Sequence, residues 1–377
     1  MTSKHTPQST AAVKQNNKVA VYRALLRNGG HTVTNLAREL SLSFPTVNQI
    51  IRELIGCGVA AAGEKQQSSG GRKAAEVHAI PEARIALGAD LTADGVTVVA
   101  VDLAGQPLAV RQHALTYSSG DGYTRSLGEM IEELREACGF TPEQILGVGL
   151  SVPAIVSEDG GSLINSYTFR LQNCPVEQFA AHIPYPCKFI RDPNASALAE
   201  MHCRSGQENL FYLSLNRSVG GVLFHGSQPY FGDRGRSGEI GHMVLVPDGR
   251  RCYCGKRGCV NAYCSCAALL KDFSGGLERF FDLEQSGDAK AAARLDECLS
   301  YLAVTLNTVR ILFDCDVVVG GQLGAYAERF LPALKQKAFA LDPALPESDY
   351  IKACTYRTEA SAVGAALLFI DEFIETI

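Results

Sequence analysis

Four side chains suited to hold one metal ion fall within eighteen positions of this chain: His242, Cys252, Cys254 and Cys259. The segment reads SGEIGHMVLVPDGRRCYCGKRGCVNAYCS. Three thiols and an imidazole are the donor set of a closed tetrahedral zinc site. Gly249, Gly255 and Gly258 let the backbone bend so that the donors converge. With every ligand supplied by protein, the zinc is expected to be structural and not to activate water. Lys256, Arg250 and Arg251 are placed to offset the charge of three thiolates. A disulfide and buried free thiols are the alternatives. The polar N-terminus MTSKHTPQSTAAVKQNNK lacks the apolar core of a secretion signal, so a cytoplasmic, reducing location is expected, and it disfavours a disulfide. Five of the thirteen cysteines lie between Cys252 and Cys266, and that crowding disfavours chance thiols; Cys264 and Cys266 are read as packing.

From residue 79 onward the pattern is α/β. Apolar strand-like runs occur at Ile85–Ala89, Val96–Val101, Ile145–Leu150, Lys188–Ile190, Asn209–Leu215, Gly221–Phe224 and Val317–Val319. Helical stretches fall at Tyr123–Cys138, Ala195–Cys203, Ala267–Leu283, Ala291–Phe313 and Ala360–Phe373. Such alternation predicts layered α/β architecture. Residues 85–108 read as a β-meander with turns at Ala93-Asp94-Gly95 and Ala104-Gly105-Gln106. No apolar run reaches the roughly 18 residues of a membrane span, so no membrane partner is expected.

Residues 1–78 differ in charge. They hold ten Lys or Arg against four Glu, a local charge of +6 in a chain whose net charge is −5. A basic front on an acidic body suits a nucleic-acid module. Residues 1–16 read as an arm, and 17–62 as three short helices. Val19, Tyr22, Leu25 and Leu26 recur at helical spacing in the first; Thr34 is a candidate N-cap for the second; Ser43, followed by Pro45, caps the third. Val47, Ile50, Ile51 and Leu54 would face inward, leaving Phe44, Thr46, Asn48, Gln49 and Arg52 outside. Thr, Asn, Gln and Arg can bond base edges or phosphates, so this is read as a DNA-recognition helix of a helix-turn-helix. Val59–Ala62, a polar turn and Arg72-Lys73 read as a wing whose cations approach phosphate. A three-helix bundle that does not bind DNA is the alternative.

The motif Gly238-Glu239-Ile240-Gly241-His242, followed by Cys252-Tyr253-Cys254-Gly255-Lys256-Arg257-Gly258-Cys259, resembles the signature of the ROK family, which groups transcriptional repressors with sugar kinases. Leu42–Val47 and Ser69–Lys73 resemble the recognition helix and wing of its repressor branch, and Gly320-Gly321 and Gly364–Ala366 resemble later landmarks. The resemblance implies a two-lobed sugar-kinase-like domain of the actin and hexokinase ATPase type. A winged helix-turn-helix over 1–78 would precede a ligand-sensing domain over 79–377. Its small lobe would be about 79–190 plus 357–377, and its large lobe about 191–356, with the zinc loop at 238–261. It further implies that Glu239 and His242 hold sugar hydroxyls while His242 also binds zinc, that Asp192 occupies the position of the kinase base, and that the chain forms a homodimer or homotetramer. Asp192 precedes Pro193 and a helix, so it is equally suited to capping.

The departures from the family pattern carry the functional expectation. Kinases of the family have a turn resembling D-x-G-G-T where this chain has Asp90-Leu91-Thr92-Ala93-Asp94-Gly95, and one resembling G-T-G-x-G-G where it has Leu215–Gly221. Phosphoryl transfer needs glycine-rich backbone around phosphates. The chain is therefore expected to bind no ATP and to have no catalytic residue, with Asp192 a vestige of the base. Arg191 replaces the family Asn and Asn261 the family Glu. With Asp192, Glu239 and His242 they form the expected ligand set, and the guanidinium suits an anionic sugar derivative such as a sugar phosphate, unless it pairs with Asp192 or Glu239. The expected function is ligand-responsive regulation at operator DNA, with a repressor of sugar-utilisation genes the favoured form. An active sugar kinase bearing a DNA-binding head is the alternative.

Overall fold

The computed structural model describes residues 10–27, 29–63, 75–204, 209–226, 228–233, 236–342 and 349–377. The chain forms two compact units, Met1–Ile190 with Ala365–Ile377, and Arg191–Gly364. Residues 357–364 thus fall in the second unit.

The first unit opens with α1 (Thr10–Arg27), β1 (His31–Thr32), α2 (Val33–Glu39), α3 (Phe44–Gly56), β2 (Ala60–Ala62) and β3 (Glu76–Ala79). Strand β3 lies between β1 and β2, antiparallel to both, and the helices with this small sheet form a winged helix-turn-helix. Residues 10–16, read above as arm, are the first turns of α1. The cap of α2 is Thr32 rather than Thr34: its Oγ1 accepts the Asn35 N–H at 3.2 Å. Ser43 caps α3 as expected, accepting the Thr46 N–H at 3.2 Å. Val47, Ile50, Ile51 and Leu54 are buried with Tyr22, Leu25 and Leu36, each worth about 1.5–3 kcal/mol on burial. Arg72 and Lys73 lie outside the described residues.

Next come β4 (Ile85–Leu91), β5 (Val96–Asp102), β6 (Pro107–His113), α4 (Asp121–Ala137), β7 (Ile145–Val152), β8 (Ile155–Val156), β9 (Ser162–Ser166), β10 (Leu171–Pro175), α5 (Glu177–Ala180) and β11 (Cys187–Arg191). The expected meander is present, and β7 joins it parallel to β4, giving the order β11-β7-β4-β5-β6. Strands β8 to β10 form a separate small sheet that the sequence reading did not anticipate.

The second unit contains α6 (Asp192–Cys203), β12 (Leu210–Leu215), β13 (Val219–His225), β14 (Gln228–Tyr230), α7 (Asn261–Cys264), α8 (Cys266–Leu269), α9 (Gly276–Gln285), α10 (Ala289–Phe313), β15 (Asp316–Gly320), α11 (Gly321–Gly324), α12 (Ala327–Leu341), β16 (Ile351–Ala353) and the start of α13 (Ala360–Thr376). Its sheet, β14-β13-β12-β15-β16, again joins an antiparallel meander to parallel strands. The helix expected over 267–283 is broken, because Asp272, Gly275 and Gly276 adopt positive φ.

Strand β12 is buried on both faces, which explains an apolar sequence interrupted only by Ser214. Phe211, Leu213 and Leu215 pack with Leu302, Leu306 and Phe330 of the helical layer, while Leu210 and Tyr212 pack with Ala197 of α6. This rigid strand and its partner β13 carry the loop that holds Glu239 and His242. Gly238 sits at φ +78°, and a Cβ there would lie 1.9 Å from the Gly221 carbonyl oxygen; one on Gly241 would lie 2.0 Å from that of Val219. The loop can rest on β13 only because both side chains are absent.

Candidate functional site

The four predicted metal ligands converge: the donor atoms of His242, Cys252, Cys254 and Cys259 all lie within 4.8 Å of one another. Cys252 Sγ is 3.9 Å from His242 Nδ1, and Cys254 Sγ is 3.9 Å from Cys259 Sγ. Zinc bonds of 2.0–2.3 Å in tetrahedral geometry ask for separations of about 3.5–3.8 Å, so the donor set fits one ion with small adjustment. Burial pushes the Cys252 thiol up and takes Cys259 to about 12. Burial opposes ionisation of Cys254 too, yet its thiol is drawn below the usual range by the Lys256 backbone N–H, the neighbouring thiols and the Lys256 ammonium. His242 is held below the ordinary imidazole range, chiefly by burial, and so favours the neutral form a metal needs. Of the three cations expected to balance the thiolates, Lys256 stays on the loop, donating to the His242 carbonyl at 2.9 Å, whereas Arg250 pairs with Glu297 at 2.8 Å. Cys264 and Cys266 are buried core residues.

The second nitrogen of His242 faces the other way. Its Nε2 lies 3.9 Å from Glu239 Oε2 and 3.3 Å from the Tyr253 hydroxyl. Tyr253, between two ligand cysteines, was not among the predicted site residues; its place inside the C-x-C motif was the one sequence clue. Glu239 Oε1 is also held at 2.5 Å by Arg191, so the guanidinium is neutralised and the argument from Arg191 for an anionic ligand loses its premise. Asp192 is the first residue of α6, whose N-cap is Arg191, and no side chain caps that helix end, so the capping role suggested for Asp192 does not hold. Desolvation raises its carboxyl to about 6, although Arg191 and a hydrogen bond with Asn216 pull it down. Asn261 is 4% exposed, and its Oδ1 accepts the Val219 N–H at 2.6 Å. Through this bond Asn261 braces the turn between β12 and β13, while its Nδ2 is buried without a partner.

The two turns that would cradle phosphates are occupied by their own chain. Thr92 N–H donates to the Gly95 carbonyl at 2.9 Å, Gly95 N–H to Thr92 Oγ1 at 3.1 Å, and Thr92 Oγ1 to the Gly95 carbonyl at 2.9 Å. In the second turn, Asn216 N–H donates to Ser218 and Val219 N–H to Asn261, while Asn216 Oδ1 accepts from Gln322 N–H.

In the head, Phe44, Gln49 and Arg52 are exposed and Thr46 and Asn48 half-buried on the outer side of α3. The Thr46 hydroxyl is 2.8 Å from that of Ser43, and Gln49 donates to Glu53, which is also bound by Lys14. Arg52 forms no ion pair among the described residues.

A model of the ROK family matches residues 86–372, and a winged helix-turn-helix DNA-binding model matches residues 15–59. The chain belongs to the ROK family. A xylose repressor from Bacillus spizizenii is 22% identical over 375 residues, 97% of each chain. In solved structures, a ROK family transcriptional regulator homologous to the Escherichia coli MLC protein superposes with a TM-score of 0.76 at 21% identity, covering 97% of both chains. A ROK family glucokinase from Streptomyces griseus, bound to glucose and AMPPNP, has a TM-score of 0.66 at 22% identity and covers 75% of this chain and 98% of its own. The chain thus joins a winged helix-turn-helix to a ROK domain, in a fold shared with the solved ROK structures. No helix among the described residues is long and apolar enough to cross a membrane.

Asp192 makes the site pH-sensitive. Its carboxyl titrates near 6 in the folded chain and near 3.8 when exposed, so the folded state favours its protonated form. Stability is therefore lost as pH rises from about 4 to about 6. Asp192→Asn should stabilise the protein at pH 7 relative to pH 4 by on the order of 1–3 kcal/mol in urea unfolding; a pH-independent difference would refute the shift.

Proposed function

We propose that this protein is a ligand-responsive transcription regulator, a repressor in its favoured form, that senses a sugar and does not phosphorylate it. One observation carries the reading. A capped recognition helix with a polar outer face shares the chain with a metal-braced polar constellation whose phosphate-binding turns are closed on themselves. Glu239 and His242 Nε2 would take sugar hydroxyls, with Arg191 and Asp192 beside them. The ion pair leaves an uncharged ligand the better match, and a sugar phosphate the weaker one. The xylose repressor's name supports a carbohydrate effector here. The protein would act in the cytoplasm as a homodimer or homotetramer on operator DNA, with half-sites spaced by about 34–36 Å or a multiple.

DNA reading is tested by binding to duplexes enriched from random sequence. Arg52→Ala should weaken affinity and lower the salt slope by about 1; an unchanged slope would remove Arg52 from the interface. A coupled ATPase assay across monosaccharides should give no turnover above background, since the turns leave few backbone donors for phosphates. Turnover at rates typical of metabolic kinases would restore the kinase alternative.

The metal is proposed to be zinc, held by His242, Cys252, Cys254 and Cys259 in a structural role. It would fix the tautomer of His242 and so define what Nε2 offers a ligand. Elemental analysis should find one zinc per chain, and stripping it should lower the melting temperature and open 238–261 to protease. A stripped protein that melts unchanged would show the site to be dispensable.

A further inference from the structure

Helix α13 begins in the second unit and ends in the first, the boundary falling between Gly364 and Ala365. Each end is fastened by contacts that neither the metal site nor DNA reading requires. At its start, Ser361 Oγ is 2.7 Å from Ser196 Oγ in a buried pair, and it reaches the Asp192 carbonyl at 3.5 Å. A Cβ on Gly364 would lie 1.7 Å from the Ala195 carbonyl oxygen. The backbones of α13 and α6 are therefore in direct contact. Helix α6 itself starts at Asp192, next to the Arg191 that grips Glu239.

At the far end, the last carbonyls of α13 need donors, as those of any helix do. Thr376 Oγ1 donates to those of Glu372 and Phe373 at 3.0 and 3.1 Å, and the DNA-binding head supplies further donors. Gln15 of α1 donates its Nε2 to the Glu375 carbonyl at 2.7 Å and to the Ile377 carbonyl at 3.1 Å. Arg23 of α1 pairs with the Glu375 carboxylate at 2.8 Å and lies 3.9 Å from that of Asp371. Gln15 and Arg23 stand two helical turns apart on α1, so they fix its direction along α13 as well as its position.

We propose that α13 is the transmission rod of this regulator, and that Gln15 and Arg23 are the residues through which the state of the Arg191–Glu239 pair reaches the DNA-binding head. The proposal rests on the reading of the protein as a ligand-responsive regulator. Seventeen residues of helix span about 25 Å, and a helix transmits displacement along its length without absorbing it as a loop would. A ligand that draws Glu239 away from Arg191 changes the load on the start of α6. Ser196 and Gly364 pass that change to α13, and Gln15 and Arg23 pass it to α1. The Arg23 ion pair and the Gln15–Glu375 bond are solvent-exposed and individually weak, which suits a joint that must yield to a coupling of roughly 5- to 150-fold in affinity.

The test uses the full chain, with Arg191→Ala standing in for a ligand. In an otherwise unaltered protein, Arg191→Ala should change the affinity for an enriched DNA duplex at least about five-fold. In a Gln15→Ala/Arg23→Ala background the same substitution should change it less than about two-fold, the signature of a coupled pair in a double-mutant cycle. Equal changes in both backgrounds, or none in either, would overturn the proposal. If no duplex is enriched, the DNA-binding reading fails, but the rod is still tested by hydrogen exchange. Arg191→Ala should alter exchange across Thr10–Arg27 only when Gln15 and Arg23 are present. Unaltered exchange there in the single variant, or the same alteration in both backgrounds, would overturn it.

Discussion

The imidazole of His242 faces two ways at once, and the packing of the second unit holds that double orientation. Nδ1 faces three thiols and Nε2 faces Glu239 and the Tyr253 hydroxyl. A side chain can serve both only if the backbone beneath it is rigid. The support is β12, buried on both faces, and β13, on which the loop rests without side chains at Gly238 and Gly241. A metal held by the proposed ligands would add what hydrophobic packing of so short a loop cannot, tying the covalently distant ends of 242–259 together. The tautomer such a metal would select would then define which hydrogen bond the outer nitrogen makes.

The same inward use of polar groups marks the turns at residues 92–95 and 215–221. In a kinase, a phosphate-binding turn must leave its N–H groups unpaired until the nucleotide arrives. Here Thr92, Gly95, Asn216 and Val219 have turned those donors inward. Asn261 contributes by holding the Val219 N–H. The glycines that survive in the second turn have packing roles: a Cβ on Gly220 would press on Pro193, and one on Gly221 would overlap Phe211.

Much of this was legible in the chain because the signals are local. The spacing of His242, Cys252, Cys254 and Cys259 implied convergence, since a glycine-rich loop of eighteen residues has few ways to keep four soft ligands apart. Ser43 and Pro45 marked the start of α3, and the apolar runs marked β4, β5, β7, β12 and β15. The misreadings have physical causes as well. Thr32 and Thr34 are equal as caps on paper, and only the position of β1 selects the former. The break between α8 and α9 depends on Asp272 accepting a left-handed conformation, which an Asp tolerates but does not announce. Helix α12 was overlooked because Pro332 interrupts its pattern. The short strands β8 to β10 gain stability only from each other and from the first unit's core.

The sequence alone determined the class of fold, the convergence of His242, Cys252, Cys254 and Cys259, and which face of α3 is left outside, because each is written in local spacing. Only the tertiary structure decided the charge state of the pocket, for whether Arg191 is available depends on Glu239, forty-eight residues away in the chain and 2.5 Å away in space. It also decided that Asp192 is desolvated instead of capping, that Asn261 points at backbone, and that the last helix is gripped by the first. Those outcomes rest on which distant groups meet out of water, where the energy of a charge or an unpaired donor depends on its neighbours and not on its own identity.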